Sequence, residues 1–145
     1  MLQKTLLVYL ADDDKEDRMF FKEALDEIDI DVCIEDFDNG VTLMDHLLKT
    51  ENLPDAIYLD LNMPLMNGEE CLNDIRNEPK LSHITIIIYS TYVDESIIDR
   101  LHKNGANWYL MKPNSFEQLK NLLCKSLEYV YAYADSKKKL PFQNL

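Results

Sequence analysis

The sequence predicts a doubly wound α/β domain on a five-stranded parallel sheet, and three observations lead there. Short apolar runs alternate with longer amphipathic stretches, the pattern of repeated βα units. Three of those runs are almost unbroken in apolar residues, as strands must be when helices cover both faces of a sheet. The chain of 145 residues is long enough for one sizeable core and too short for two of ordinary size. The reading assigns residues 1–133 to this domain and 134–145 to a C-terminal tail.

The predicted strands are "TLLVYLA" (5–11), "VCIEDF" (32–37), "AIYLDL" (56–61), "ITIIIYS" (84–90) and "NWYLMK" (107–112). A helix is expected over 15–28, where Met19, Phe20, Ala24, Leu25 and Ile28 share a face and Asp14 caps the start. Further helices are expected over 41–49, 67–77, 94–103 and 115–133, with "NG" turns at 39–40 and 67–68. In the last helix, Leu119, Leu122, Leu123, Leu127, Val130 and Tyr131 form a stripe for the sheet. Beyond it, "DSKKKLPFQNL" loses helical periodicity and contains Pro141, which reads as a tail.

Composition removes several classes. A net charge of −12 disfavours nucleic-acid binding, because phosphate backbones select Lys and Arg patches. Cys33, Cys71 and Cys124 are odd in number and contain no C-x-x-C pair, so neither a disulfide framework nor a zinc site is expected. The first apolar run is short and ends in "DDD", unlike a cleaved signal, and no run is long enough to span a bilayer. A cytoplasmic protein with no membrane partner is expected.

In a doubly wound sheet, chemistry collects at the carboxyl ends of the strands, near the point where winding reverses. There the sequence puts Asp12, Asp13 and Asp14 after the first strand and Asp60 after the third. Ser90 and Thr91 end the fourth, and Lys112 with Pro113 ends the fifth. Alone, Asp60 would be read as a cap for the turn that holds Asn62 and Pro64. Together, the three carboxylates Asp12, Asp13 and Asp60 repel one another, a cost that a divalent cation relieves. Mg²⁺ suits an all-oxygen site of this kind, and a carboxylate beside it can act as a nucleophile toward phosphorus. Lys112 would neutralise the transferring oxygens and Ser90 would hydrogen-bond one of them. Asp14 is left to its helix cap.

These motifs, "LADDD", "LDLNMPLMNG", "YST" and "GANWYLMKP", with their separations, resemble the receiver domains of two-component response regulators from residue 5 to about 130. The resemblance implies a flavodoxin-like (βα)5 fold with Asp60 as phosphoacceptor. It implies Asp12, Asp13, Asp60 and the Asn62 backbone carbonyl as Mg²⁺ ligands, and Lys112 as partner of the phosphoryl group. Ser90 and Tyr109 would be the switch pair, and the Lys112–Pro113 bond is often cis in relatives. Two departures stand out: Ser90 replaces the commoner Thr, and Thr91 is bulkier than usual, which would restrict access to the phosphoryl group and slow its hydrolysis.

The expected function is therefore a stand-alone response regulator, phosphorylated by a sensor histidine kinase or histidine phosphotransfer protein. It would signal to a protein target through the surface of residues 91–130. It would be no conventional enzyme, contributing only to its own phosphorylation and dephosphorylation, and would be a monomer or weak homodimer. The alternative is a receiver-like scaffold that binds constitutively without phosphorylation. An FMN-binding flavodoxin would share the fold, but "DDDKED" after the first strand would repel a phosphate that lacks a cation. His46, in "HLLKT", faintly resembles the carrier histidine of phosphotransfer bundles, which are all-helical, and is read as an ordinary helix residue.

Overall fold

Successive residues of the apolar runs face opposite sides of one sheet, and both sides are covered. The computed structural model describes residues 4–91, 93–133 and 143–144. Its main strands are β1 (Leu6–Ala11), β2 (Val32–Phe37), β3 (Ala56–Leu59), β4 (Thr85–Ser90) and β5 (Trp108–Met111). Between and after them run α1 (Lys15–Asp26), α2 (Gly40–Lys49), α3 (Gly68–Asn77), α4 (Glu95–Lys103) and α5 (Phe116–Tyr133). All strand pairs are parallel, in the order β2-β1-β3-β4-β5, so the winding reverses between β1 and β3. That is the predicted architecture.

On one face, Leu6, Val8, Leu10, Tyr58, Ile87, Tyr89 and Trp108 meet Phe21, Ala24 and Leu25 of α1 and Leu119, Leu123 and Leu127 of α5. On the other, Tyr9, Ile57, Leu59, Ile86, Ile88 and Tyr109 meet residues of α2, α3 and α4. Each buried leucine or isoleucine here contributes about 1.5–3 kcal/mol relative to exposure. The α1 face differs from the sequence reading: Met19 is 52% exposed while Phe21 is fully buried. Ala24 and Leu25 are buried and Phe20 and Ile28 pack against the same core as expected, and Phe21 takes the place read for Met19.

Three local devices position the site. Asp14 caps α1 by accepting from the N–H groups of Glu16 and Asp17, as expected. Asn67 and Glu70 form a reciprocal capping box at the start of α3. Arg76 of α3 donates to the carbonyls of Gly105, Ser82 and Ile84 and to Asn107 Oδ1, at 2.8–2.9 Å. The guanidinium thereby fixes the loop that feeds β5, and through it the height of Lys112. Burial lowers the Arg76 pKa to about 10, which still leaves it charged at neutral pH.

Within the segment read as a tail, Gln143 and Asn144 form β6 and pair in parallel with Trp108 and Tyr109. A sixth, two-residue strand thus covers part of the free edge of β5, whose backbone groups would otherwise lack partners there. Residues 134–142 and 145 lie outside the described residues.

Candidate functional site

The strand order brings the carboxyl ends of β1 and β3 side by side, with the ends of β4 and β5 next in line. The backbone ladder continues one step past β3, where the Asp60 N–H donates to the Ala11 carbonyl at 2.9 Å. The strand itself ends at Leu59 instead of Leu61, because Asn62 N–H turns back toward Asp60 Oδ1 and Gly68 N–H toward the Leu61 carbonyl. Asp60 therefore stands at the lip of the sheet, only 4% exposed.

Each Asp60 oxygen has a partner from another strand end. Ser90 Oγ donates to Oδ1 at 2.9 Å and Lys112 Nζ donates to Oδ2 at 3.1 Å. The Lys112 N–H also donates to the Ser90 carbonyl, so these two residues are held by backbone as well. Asp12 is fully buried, its Oδ1 accepting from the Asp14 N–H at 3.0 Å. Its Oδ2 lies 2.8 Å from Lys112 Nζ, close enough to pair but out of line for a hydrogen bond, so that oxygen has no hydrogen-bond donor.

The electrostatics follow from crowding. Burial pushes the Asp12 carboxyl up to about 6; Lys112 and the Asp14 N–H oppose that, and the Asp60 charge adds to it. Burial alone would lower the Lys112 pKa, but the close Asp12 and Asp17 carboxylates and the charge of Asp60 drive it well above the lysine range. The ammonium also lies 5.5 Å from the centre of the Tyr89 ring, within cation–π range.

Asp13 is exposed at the mouth. Asp12, Asp13 and Asp60 each bring one carboxylate oxygen within 4.8 Å of the others. An all-oxygen set, crowded with like charge and containing a buried oxygen that no donor satisfies, fits a small hard cation. Asn62 sits in the exposed turn beyond Asp60. Tyr109 is buried and points inward, its hydroxyl donating to the Thr91 carbonyl at 2.9 Å. No peptide bond among the described residues is cis, so the Lys112–Pro113 bond is trans here.

The structure adds two residues that the sequence reading did not name. Asp17, from the first turn of α1, accepts from Lys112 Nζ at 2.9 Å, and Tyr89 lies under the same ammonium. The signal for Asp17 was its position on the buried face of α1, four residues before Phe21. A carboxylate on an apolar stripe needs a partner.

The sequence matches the response regulator receiver domain family over residues 8–124, and the chain belongs to that family. The probable methanogenesis regulatory protein FilR2 of Methanothrix harundinacea (strain 6Ac) is 29% identical over 127 residues, 85% of this chain and 82% of the relative. A chemotaxis protein CheY homolog of Campylobacter jejuni subsp. jejuni (strain 81-176) is 32% identical over 114 residues, 79% of this chain and 86% of the relative. Among solved structures, the phosphorylated cyanobacterial phytochrome response regulator RcpA matches with a TM-score of 0.79 at 27% identity, covering 95% of this chain and 99% of that one. The chain is thus a receiver domain of two-component signalling with the flavodoxin-like fold of its neighbours. No helix among the described residues is long and apolar enough to cross a membrane.

Proposed function

We propose that this chain accepts a phosphoryl group on Asp60 from a histidine of a sensor kinase or phosphotransfer protein and signals through a protein-binding surface. The observation that carries this reading is the Asp60 carboxylate itself. It is buried at the switch point, with Lys112 and Ser90 on its two oxygens and two further carboxylates beside it. RcpA, a relative in fold and sequence, is described in a phosphorylated form, which accords with the assignment.

In the transfer, an Asp60 oxygen forms the new bond to phosphorus as the P–N bond of the donor phosphohistidine breaks, and the electron pair leaves with the imidazole nitrogen. Asp12, Asp13, Asp60 and the Asn62 carbonyl would hold Mg²⁺, which when bound supplies positive charge to the equatorial phosphoryl oxygens. Lys112 stabilises the same oxygens from the β5 side. Ser90 then releases Asp60 and donates to a phosphoryl oxygen. That draws on the Thr91 carbonyl and hence on the Tyr109 hydroxyl, shifting an existing equilibrium of the residue 91–130 surface. The chain's chemistry is confined to its own phosphorylation and dephosphorylation.

The test is intact-protein mass after incubation with acetyl phosphate, with and without Mg²⁺, beside Asp60→Asn. The expected result is one phosphoryl adduct that requires Mg²⁺ and is missing from the variant. No adduct, together with failure to bind beryllium fluoride, would overturn the reading in favour of a constitutive scaffold.

A further inference from the structure

An ammonium group has three N–H donors, and three carboxylates surround that of Lys112: Asp12 at 2.8 Å, Asp17 at 2.9 Å and Asp60 at 3.1 Å. The Lys112 side chain is only 12% exposed, so water does not replace these partners freely. Asp17 and Asp60 accept hydrogen bonds from the ammonium and Asp12 pairs with it by charge, so an arriving phosphoryl oxygen competes with these carboxylates for it.

The three carboxylates are not equivalent in that exchange. Asp60 is the nucleophile of the proposed reaction, and Asp12 shares with Asp13 and Asp60 the cluster whose oxygens converge for a cation. Both therefore redirect their charge when cation and phosphoryl group arrive. Asp17 lies outside that cluster, on a different element, and its side chain is 40% exposed. Nothing in the transfer draws it away from Lys112.

We propose that Asp17 is a positioning residue that holds Lys112 toward α1 in the resting state and competes with the phosphoryl group for its ammonium. The inference rests on the phosphoacceptor reading and adds to it a tether that weakens the grip of this site on a bound phosphoryl group. Each step of the tether is visible: the Asp14 cap fixes the first turn of α1, that turn presents Asp17, and Asp17 holds the ammonium.

The test compares the parent with Asp17→Asn, Asp17→Glu and Glu16→Gln, titrating beryllium fluoride at saturating Mg²⁺ and, separately, Mg²⁺ alone, both followed by amide NMR. Glu16→Gln removes the same charge one residue away from an exposed side chain and controls for bulk electrostatics. Asp17→Asn is expected to tighten beryllium fluoride half-saturation about two- to fivefold, the factor of a half-exposed ion pair. Its Mg²⁺ half-saturation should move no more than that of Glu16→Gln, and Asp17→Glu should return toward the parent. Unchanged or weaker beryllium fluoride binding by Asp17→Asn, or an equal gain in Glu16→Gln, would overturn the proposal. A merely structural Asp17 would lower the thermal midpoint without tightening the fluoride complex. A parent that binds no beryllium fluoride and takes no phosphoryl group would instead bring down the phosphoacceptor reading itself.

Discussion

Ser90 Oγ donates a hydrogen bond to Asp60 Oδ1 at 2.9 Å, and the sheet register makes that contact. Leu59 stands opposite Ile88, so Asp60 comes one residue past the end of β3 while Ser90, two residues beyond Ile88, closes the neighbouring parallel strand β4 and reaches it diagonally. Both are sealed from solvent. In the resting protein the hydroxyl is committed to the group that the proposed reaction phosphorylates.

Ser90→Ala should therefore separate chemistry from signalling. Among the described residues it leaves Asp60 Oδ1 with only the long 3.4 Å contact from the Asn62 N–H, at a cost of about 1.5–3 kcal/mol for a buried hydrogen bond to a charged group. The acetyl phosphate adduct should still form, because Asp60 and Lys112 remain. Beryllium fluoride should shift the amide resonances of residues 91–130 in the parent and in Ser90→Thr, but leave most of them in place in Ser90→Ala. Equal shifts in the parent and Ser90→Ala would remove the hydroxyl from the switch.

Carboxylate crowding makes a second expectation about stability. Asp60→Asn removes one charge from a cluster held by a single ammonium, so in EDTA its thermal midpoint should match or exceed the parent's. Mg²⁺ at a hundredfold excess over its dissociation constant should stabilise the parent by about 2.7 kcal/mol, a midpoint rise of several degrees. The variant should gain far less. A parent midpoint indifferent to Mg²⁺ would mean that the oxygens converge without holding the ion.

The site was legible in sequence because its parts sit at strand ends, and strand ends are marked by where apolar runs stop: Asp12, Asp60, Ser90 and Lys112 each close one. Asp17 was less legible because helical position depends on which residues face the sheet, and Met19 and Phe20 offered an equally apolar stripe beside Phe21. Arg76 illustrates a second limit. In an amphipathic helix an arginine reads as a solvent-facing charge, and only the folded chain brings the carbonyls of Ser82, Ile84 and Gly105 around it. The pairing of Gln143 and Asn144 with β5 was out of reach, since two residues carry no periodicity.

Gly68 should be intolerant of a side chain for reasons of space. It is buried at the start of α3, and a Cβ there would come within 2.2 Å of the Asp60 carbonyl oxygen. Backbone cannot yield as a flexible side chain would, so Gly68→Ala must displace the loop that carries Asp60, the proposed phosphoacceptor. A loss of about 1–3 kcal/mol in urea unfolding is expected, with slower adduct formation from acetyl phosphate. Parent-like stability and rate together would show that the loop accommodates the methyl group.

Asp36 supplies the pH dependence. Its carboxylate pairs with Lys22 Nζ at 2.9 Å and Arg18 Nε at 3.0 Å, while Arg18 also donates to the Asp12 carbonyl at 2.7 Å. Partial burial acts to raise the Asp36 pKa, but the hydrogen bonds and charges of Lys22 and then Arg18 outweigh it, leaving the group below its ordinary 3.8. A carboxylate with a lowered folded pKa contributes stability above its unfolded pKa and loses it as pH falls through the folded value. Asp36→Asn should thus cost about 1 kcal/mol near pH 7, discounted for its partial exposure, and that difference should shrink below about pH 4. Urea unfolding of both proteins at neutral pH and at successively lower pH measures it. A difference that stays constant into the acid range would assign the effect to packing, because a lost ion pair must vanish once the carboxylate is protonated in both states.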